Sequence, residues 1–266
     1  MTRFLTYLFL LSLLLMKPAL AAEEKLISVQ TKRGVEQQFI LIKPDNPIAS
    51  VILFAGGHGG LGLNGTEDFE WGEENFVVRT RRDFAAKGLM VAVIDAPSDR
   101  PQLGAKFRIS RKHAGDMAAV AKYLKRVKDI PVWVVGTSMG TFSAASVAIK
   151  KRKLISGLVL TSTMTGVPED WSIAGKYPDG VASMNLGKVR APTLIVAHED
   201  DRCEHTPAKD TTKLKDRLTN ASAVKIVLVK GGRAAESDSC ASKSQHGFFG
   251  VESEVVDAIF KFIKAH

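Results

Sequence analysis

The chain has 266 residues, of which 45% are hydrophobic and 24% are charged, and its formal net charge is +9 at pH 7. This composition is typical of a globular protein, and it excludes a disordered chain or a coiled coil. The length allows one large domain or two small ones, and no composition break or long linker marks a domain boundary. The positive charge indicates weak attraction to anionic surfaces, but no nucleic-acid-binding motif is present, so no nucleic-acid partner is expected.

The first 21 residues have the pattern of a secretory signal peptide. Arg3 gives a basic start, residues 4–16 form an apolar run, and Ala19-Leu20-Ala21 supplies the small residues of a cleavage site. The apolar run is shorter than the ~20 residues of a membrane-spanning helix, which argues against an uncleaved anchor. We therefore expect cleavage of residues 1–21, one mature domain over residues 22–266 without a membrane span, and a periplasmic or secreted location.

The mature sequence alternates between short apolar runs, which predict strands, and amphipathic segments, which predict helices. This alternation over the whole length favours a mostly parallel sheet covered by helices on both faces. The predicted strands are residues 26–30, 35–42, 50–55, 89–94, 132–135, 155–160, 193–197 and 224–229. The predicted helices are one ending at Lys87, one through residues 117–124, one after Gly140, one over about residues 207–218 and one through residues 255–263.

The motif with the clearest chemical meaning is Gly136-Thr137-Ser138-Met139-Gly140, between the strand 132–135 and a helix of small residues. A serine on a sharp strand-to-helix turn holds its hydroxyl clear of the backbone, and the flanking glycines prevent clashes in the bend. The start of the helix adds backbone N–H groups that can face developing negative charge. The motif therefore predicts Ser138 as a nucleophile.

A serine nucleophile needs a base and an acid that orients the base. His198-Glu199-Asp200-Asp201 follows the strand 193–197, and His246-Gly247-Phe248 closes the polar loop after the strand 224–229. Functional groups collect at the carboxyl ends of parallel strands, and the chain order serine, acid, histidine fits a nucleophile in the middle of the sheet.

With the serine motif, the acid loop and the histidine loop in this order, the sequence resembles the α/β-hydrolase superfamily over about residues 26–263. The resemblance rests on the motif around Ser138, the glycine run Gly56 to Gly60, the acid loop and the histidine loop. It implies an α/β-hydrolase fold with a central sheet of about eight strands and a minimal cap. It also implies Ser138 as nucleophile, His246 as general base and then acid, and Asp201 as the orienting carboxylate.

The resemblance further implies an oxyanion hole formed by the backbone N–H groups of Met139 and of Gly57 or its neighbour His58. The sequence departs from the family pattern at two places. Many members have His-Gly before the oxyanion loop, where this chain has Ala55-Gly56, and many have Gly-x-x-Asp at the acid. The second departure leaves Asp200 open as an alternative to Asp201. The glycine run also matches the dinucleotide fingerprint formally, but no helix is predicted directly behind it, so we interpret it as the oxyanion loop.

The two cysteines, Cys203 and Cys240, flank the acid and histidine loops. Export would place them where disulfides persist, which favours a bridge over two free buried thiols. No histidine or cysteine pair has metal-ligand spacing, so neither a metal nor another cofactor is expected.

Fewer than thirty residues separate the strands 155–160 and 193–197, too few for a large cap domain. We therefore expect an open site, with His58, Trp71 and Trp171 as candidate pocket residues, although the two tryptophans could equally be core residues. The function predicted is an exported, monomeric serine hydrolase that cleaves small carboxylic esters through an acyl-enzyme. The alternatives are an amidase or peptidase, an acyltransferase, and a non-catalytic binding protein of the cell envelope with the same fold.

Overall fold

The computed structural model describes residues 22–266, and the predicted leader lies outside the described residues. Its centre is one eight-stranded sheet, with the strands in the order β1-β2-β4-β3-β5-β6-β7-β8. The strands are β1 (Glu24–Gln30), β2 (Glu36–Ile42), β3 (Ala49–Phe54), β4 (Leu89–Pro97), β5 (Val132–Ser138), β6 (Gly157–Thr163), β7 (Thr193–His198) and β8 (Val224–Val229).

The first part of the sheet is antiparallel and the rest is parallel. A tight turn over residues 31–34 joins β1 to β2, and β2 pairs antiparallel with β4. From β4 onwards all neighbouring strands are parallel, because each connection crosses back over a face of the sheet. The carboxyl ends of β3, β5, β6, β7 and β8 therefore lie at one edge of the sheet.

Helices cover both faces, and each face has its own apolar core. The helices are α1 (Phe76–Arg79), α2 (Arg81–Ala86), α3 (Ala105–Arg108), α4 (Arg111–Val127), α5 (Gly140–Lys150), α6 (Thr211–Arg217) and α7 (Glu252–Ala265). The side chains of β5 alternate between the two cores: Val134 lies with α4 and α5, and Trp133 lies with α7. Within residues 22–266, no helix is both long and apolar enough to cross a bilayer. The eight strands and the two-sided covering confirm the predicted fold class.

The segment over residues 164–192 holds two 3-10 helices, Gly180–Ser183 and Leu186–Lys188. They contact α5, with Val181 and Leu186 buried in the core on that face of the sheet. This agrees with the predicted minimal cap, since the segment folds down onto the core.

Several local features differ from the sequence predictions, among them strand β6, which covers Gly157–Thr163 where residues 155–160 were predicted. The helix predicted to end at Lys87 is two short helices, because Thr80 bonds back to the carbonyl of Phe76 and interrupts the helix. Strand β4 continues to Pro97, and the short helix α3 was not predicted. The extension of β4 places the carboxylate of Asp95 where it accepts hydrogen bonds from the N–H groups of Leu61 and Leu63.

Candidate active site

Ser138 lies at the junction of β5 and α5, with its backbone in the left-handed region at φ +51°. A non-glycine residue adopts this conformation at an energetic cost, which is a common feature of functional turns. A Cβ atom on Gly136 would collide with the carbonyl oxygen of Gly140, and one on Gly140 would collide with that of Phe54. The two glycines of the motif are therefore required for the close approach of α5 to the strands.

Asp201 and His246 come together at the carboxyl edge of the sheet, where Nδ1 of His246 lies 3.2 Å from Oδ2 of Asp201. The side chain of Asp201 is fully buried, and that of His246 is 6% exposed. Oδ1 of Asp201 also accepts a hydrogen bond from the N–H of Cys203. Asp200 is exposed, and its N–H donates to Nδ1 of His198. The structure therefore places Asp201, and not Asp200, against His246.

Thr206 is a third member of this cluster, and the sequence analysis missed it. Its buried hydroxyl lies 2.8 Å from Oδ2 of Asp201 and 2.9 Å from Nδ1 of His246. Because a carboxylate only accepts hydrogen bonds, the hydroxyl donates to Asp201 and is left with lone pairs that face the imidazole. Thr206 therefore contacts both the proposed base, His246, and the carboxylate that would orient it.

The histidine loop is held against the sheet by Ser162, whose hydroxyl donates to the carbonyl of His246 at 2.7 Å. Ser162 belongs to β6, the neighbour of β5, so this bond fixes His246 beside the strand that ends in Ser138. The hydroxyl of Ser138 makes no hydrogen bond to the imidazole, and its contact is Sδ of Met164 at 4.0 Å. Catalytic hydrogen bonds are commonly long in a free enzyme and tighten with bound substrate.

The predicted disulfide is present between Cys203 and Cys240. Cys203 is buried and follows Asp201 by two residues, whereas Cys240 is exposed and lies in the loop that leads to His246. The bridge therefore joins the acid loop to the histidine loop.

The glycine loop after β3 wraps around the guanidinium of Arg108, which is fully buried. Nη2 of Arg108 donates to the carbonyls of Ala55 and Gly57, at 3.1 and 3.2 Å. Nη1 and Nε donate to Ser143 and to the carbonyl of Leu103. Burial lowers the pKa of Arg108 to about 9, because the charged form loses its hydration. Arg108 thus fixes the predicted oxyanion loop by hydrogen bonds to its backbone carbonyls.

The two N–H groups predicted to form the oxyanion hole are those of Gly57, which has a positive φ of 50°, and Met139, the residue before α5. Neither donates a hydrogen bond to another residue of the described range 22–266. Both remain available to a ligand, as an oxyanion hole requires.

Of the three candidate pocket residues, two lie together. Trp71 stacks on His58 with ring centroids 3.9 Å apart, and its ring covers Gly57. Burial, followed by repulsion from Arg108, lowers the pKa of His58. Trp171 is half-buried and packs against the core on the α5 side of the sheet. In the described part of the chain, no group of three or more histidine, cysteine, aspartate or glutamate side chains is arranged to hold a metal ion.

The sequence profile of the family described as serine aminopeptidase, S33, matches residues 82–229. No curated protein matches the sequence. Among solved structures, an esterase from Pyrococcus furiosus aligns over 92% of this chain and 91% of its own, with TM-score 0.65 and 17% identity. A dienelactone hydrolase from Anabaena variabilis aligns over 92% and 99%, with TM-score 0.61 and 15% identity. Est1E from Butyrivibrio proteoclasticus aligns over 91% and 98%, with TM-score 0.60 and 16% identity. At these identities the structural likeness establishes the fold.

Proposed function

The chain belongs to the serine aminopeptidase S33 family of α/β hydrolases, and on that premise we propose that it is an exported serine hydrolase that cleaves carboxylic esters. The observation that carries the proposal is the hydrogen bond between Asp201 and Nδ1 of His246. Since Nδ1 is engaged, Nε2 is the ring nitrogen left to act on Ser138, whose strained turn presents its hydroxyl at the same edge of the sheet.

The reaction follows from these positions. Nε2 of His246 accepts the proton of the Ser138 hydroxyl as the oxygen attacks the ester carbonyl, and a tetrahedral oxyanion forms. The N–H groups of Gly57 and Met139 donate to this oxyanion. His246 then gives the proton to the departing alcohol, which leaves an acyl-enzyme. A water molecule, activated by His246, attacks the acyl-enzyme and releases the acid and the free serine.

Three features support small esters as substrates. The segment over residues 164–192 forms two short 3-10 helices and no cap domain, which favours an open site. Trp71, 36% exposed, and His58 offer an aromatic wall beside the oxyanion loop. Structural relatives from Pyrococcus furiosus and from an Arctic metagenomic library are described as esterases. An open site with an aromatic wall suits modest acyl groups better than long buried chains.

Export is supported by the pattern of residues 1–21 and by the disulfide, because disulfides persist in oxidising compartments. Mass spectrometry of the protein from its native host tests this point. A mature N-terminus near Ala22 supports export, and an intact Met1 in the cytoplasmic fraction rejects it. Sedimentation of the same mature protein tests the predicted monomeric state.

The central experiment uses the mature protein with a fluorophosphonate probe and a series of p-nitrophenyl esters of increasing chain length. We expect labelling of Ser138 and turnover of the short esters, both abolished in Ser138→Ala. Ser222→Ala, at an exposed serine just before β8 and so at the opposite edge of the sheet from Ser138, is the matched control and should keep both labelling and turnover. Labelling and turnover that persist in Ser138→Ala would reject the proposed nucleophile.

The description of the family makes peptide or amide hydrolysis the second candidate. Aminoacyl p-nitroanilides, compared with p-nitrophenyl esters of the same acyl groups, separate the two. Turnover of the anilides with a kcat/KM equal to or greater than that of the esters would favour a peptidase. Transfer of the acyl group to an added alcohol instead of water would indicate an acyltransferase. A protein that neither labels nor turns over any member of the panel would be a binding protein.

A further inference from the structure

Asn75 is a buried polar residue whose side chain makes no hydrogen bond to any other residue of the range 22–266. It lies at the end of the loop 61–75, immediately before α1, and is 8% exposed. Its backbone is fixed at both ends: its N–H donates to the carbonyl of Gly72, and its carbonyl accepts from Val78 and Arg79, each at 2.9 Å. The backbone that carries the side chain is therefore fixed before any ligand binds.

The usual use of asparagine at this position is to cap the helix with its side-chain oxygen. The side chain of Asn75 makes no such bond. Its Oδ1 is buried without a hydrogen-bond partner among residues 22–266, and its Nδ2 donates to none of them. A buried acceptor without a partner costs about 1–3 kcal/mol of stability, so the presence of an amide at this position needs an explanation other than stability.

The location of Nδ2, the donor atom of the same amide, points to a ligand. A Cβ atom built on Gly56 would lie 3.0 Å from Cβ of Ser138 and 3.3 Å from Nδ2 of Asn75. The side-chain amide of Asn75 and the side chain of the proposed nucleophile, Ser138, therefore both lie next to Gly56. Gly57, whose N–H is free to bind an oxyanion, is the next residue.

We propose that Nδ2 of Asn75 is a third donor of the oxyanion hole, beside the N–H groups of Gly57 and Met139. This inference rests on the proposed function, since it concerns the carbonyl oxygen that Ser138 would attack. The amide transfers no proton. It donates a hydrogen bond that strengthens as negative charge develops on that oxygen, so it stabilises the transition state more than the bound ester.

The test compares the wild-type protein with Asn75→Asp and Asn75→Ala in the hydrolysis of a short p-nitrophenyl ester. Aspartate keeps the shape and replaces the donor by an acceptor, and alanine removes the group. We expect kcat to fall by about 10²–10³-fold in both, the range seen when one oxyanion donor is removed, and KM to change by less than about threefold. Asn64→Asp, the same change at an exposed position of the same loop, should leave kcat unchanged.

A second measurement keeps the inference independent of folding defects. A trifluoromethyl ketone adds to the serine and forms a stable oxyanion, so its affinity should fall in both Asn75 variants by the factor lost in kcat/KM. Thermal unfolding of the same samples reports their folding. Three results would each overturn the assignment: wild-type kcat in either Asn75 variant, a change in KM without a change in kcat, or unchanged affinity for the inhibitor. An inert wild-type protein would instead reject the proposed function, and this inference with it.

Discussion

Cys203 is joined to Cys240 by a disulfide bond that ties the loop of Asp201 to the loop of His246. These loops follow different strands, β7 and β8, and their hydrogen bond depends on a fixed distance between them. The loop before His246 is largely exposed and lacks regular secondary structure until residue 245. The disulfide is therefore a covalent constraint on the geometry of the proposed acid and base.

Reduction of this bond should lower both stability and activity. The cysteines are 37 residues apart, for which the chain-entropy model gives a stabilisation of about 4 kcal/mol. For a protein of this size, that corresponds to a decrease in Tm of roughly 8–16 °C. The double variant Cys203→Ser and Cys240→Ser should have the Tm of the reduced wild-type protein even without reductant. Adding reductant should not change the Tm of this variant. An unchanged Tm and ester turnover after verified reduction would contradict this role.

The hydroxyl of Thr206 should matter for turnover, because it contacts Asp201 and His246 together. Thr206→Val has nearly the same shape without the hydroxyl, and we expect kcat to fall about tenfold, as for the loss of one hydrogen bond to a charged group. Thr206→Ser restores the hydroxyl and should recover most of the activity. If the two variants have equal kcat, the hydroxyl does not help to position the base.

The order of strands and helices could be predicted because it follows from repeated patterns. Each buried strand is a run of apolar residues, and the burial of Met117, Val120 and Leu124 on α4 follows from their helical spacing. The Ser138 motif was recognisable because a strained turn with two close backbone approaches demands glycines at fixed positions. The bounds of β8, residues 224–229, agree with the prediction, since turn residues flank it on both sides.

The residues that support the site could not be predicted in the same way. Asn75, Arg108 and Thr206 each stand alone in the sequence, with no periodicity or motif around them. Their roles arise from partners far along the chain: Arg108 donates to a carbonyl 53 residues away, and Thr206 bonds to a histidine 40 residues away. Such pairings depend on the packing of the whole sheet, and one sequence contains no signal for them.

The oxyanion loop should depend on Arg108, whose guanidinium holds the carbonyls of Ala55 and Gly57. Arg108→Met fills a similar volume without donors, so the loop is free to shift, and a shift of about 1 Å can cost about 100-fold in rate. We expect a loss of kcat of that order. Arg100→Met, the same change at a partly exposed arginine that stacks on Phe107, should retain kcat within about twofold. Equal activity in the two variants would show that Arg108 does not position the loop.

The strain at Ser138 should be measurable as a stability difference. At φ +51°, glycine avoids a steric cost of about 1–2 kcal/mol that alanine keeps, although glycine loses more entropy on folding. Both Ser138→Gly and Ser138→Ala should be inactive, but the glycine variant should be the more stable, by up to about 1 kcal/mol in urea unfolding. A more stable alanine variant would mean that the turn is relaxed.

His113 should make the protein sensitive to acid. The imidazole is fully buried between Phe54 and Phe107, and neither ring nitrogen has a hydrogen-bond partner among residues 22–266. Burial, followed by repulsion from Arg108, lowers the pKa of His113 to about 3. In the unfolded chain the pKa returns to about 6.5. Between these values the unfolded chain binds one proton more, so stability falls as the pH falls from about 6.5 towards 3.

The variant His113→Phe removes this titration and leaves an apolar ring in an apolar site. The free energy of unfolding of the variant minus that of wild type should be about 2 kcal/mol larger at pH 5 than at pH 7.5. Each pH unit below 6.5 costs the wild-type protein about 1.4 kcal/mol, and the variant does not lose this stability. Urea unfolding at both pH values measures the difference. If wild type and His113→Phe lose equal stability between the two pH values, His113 is not the acid-sensitive group, because its charge would then be accommodated in the folded protein.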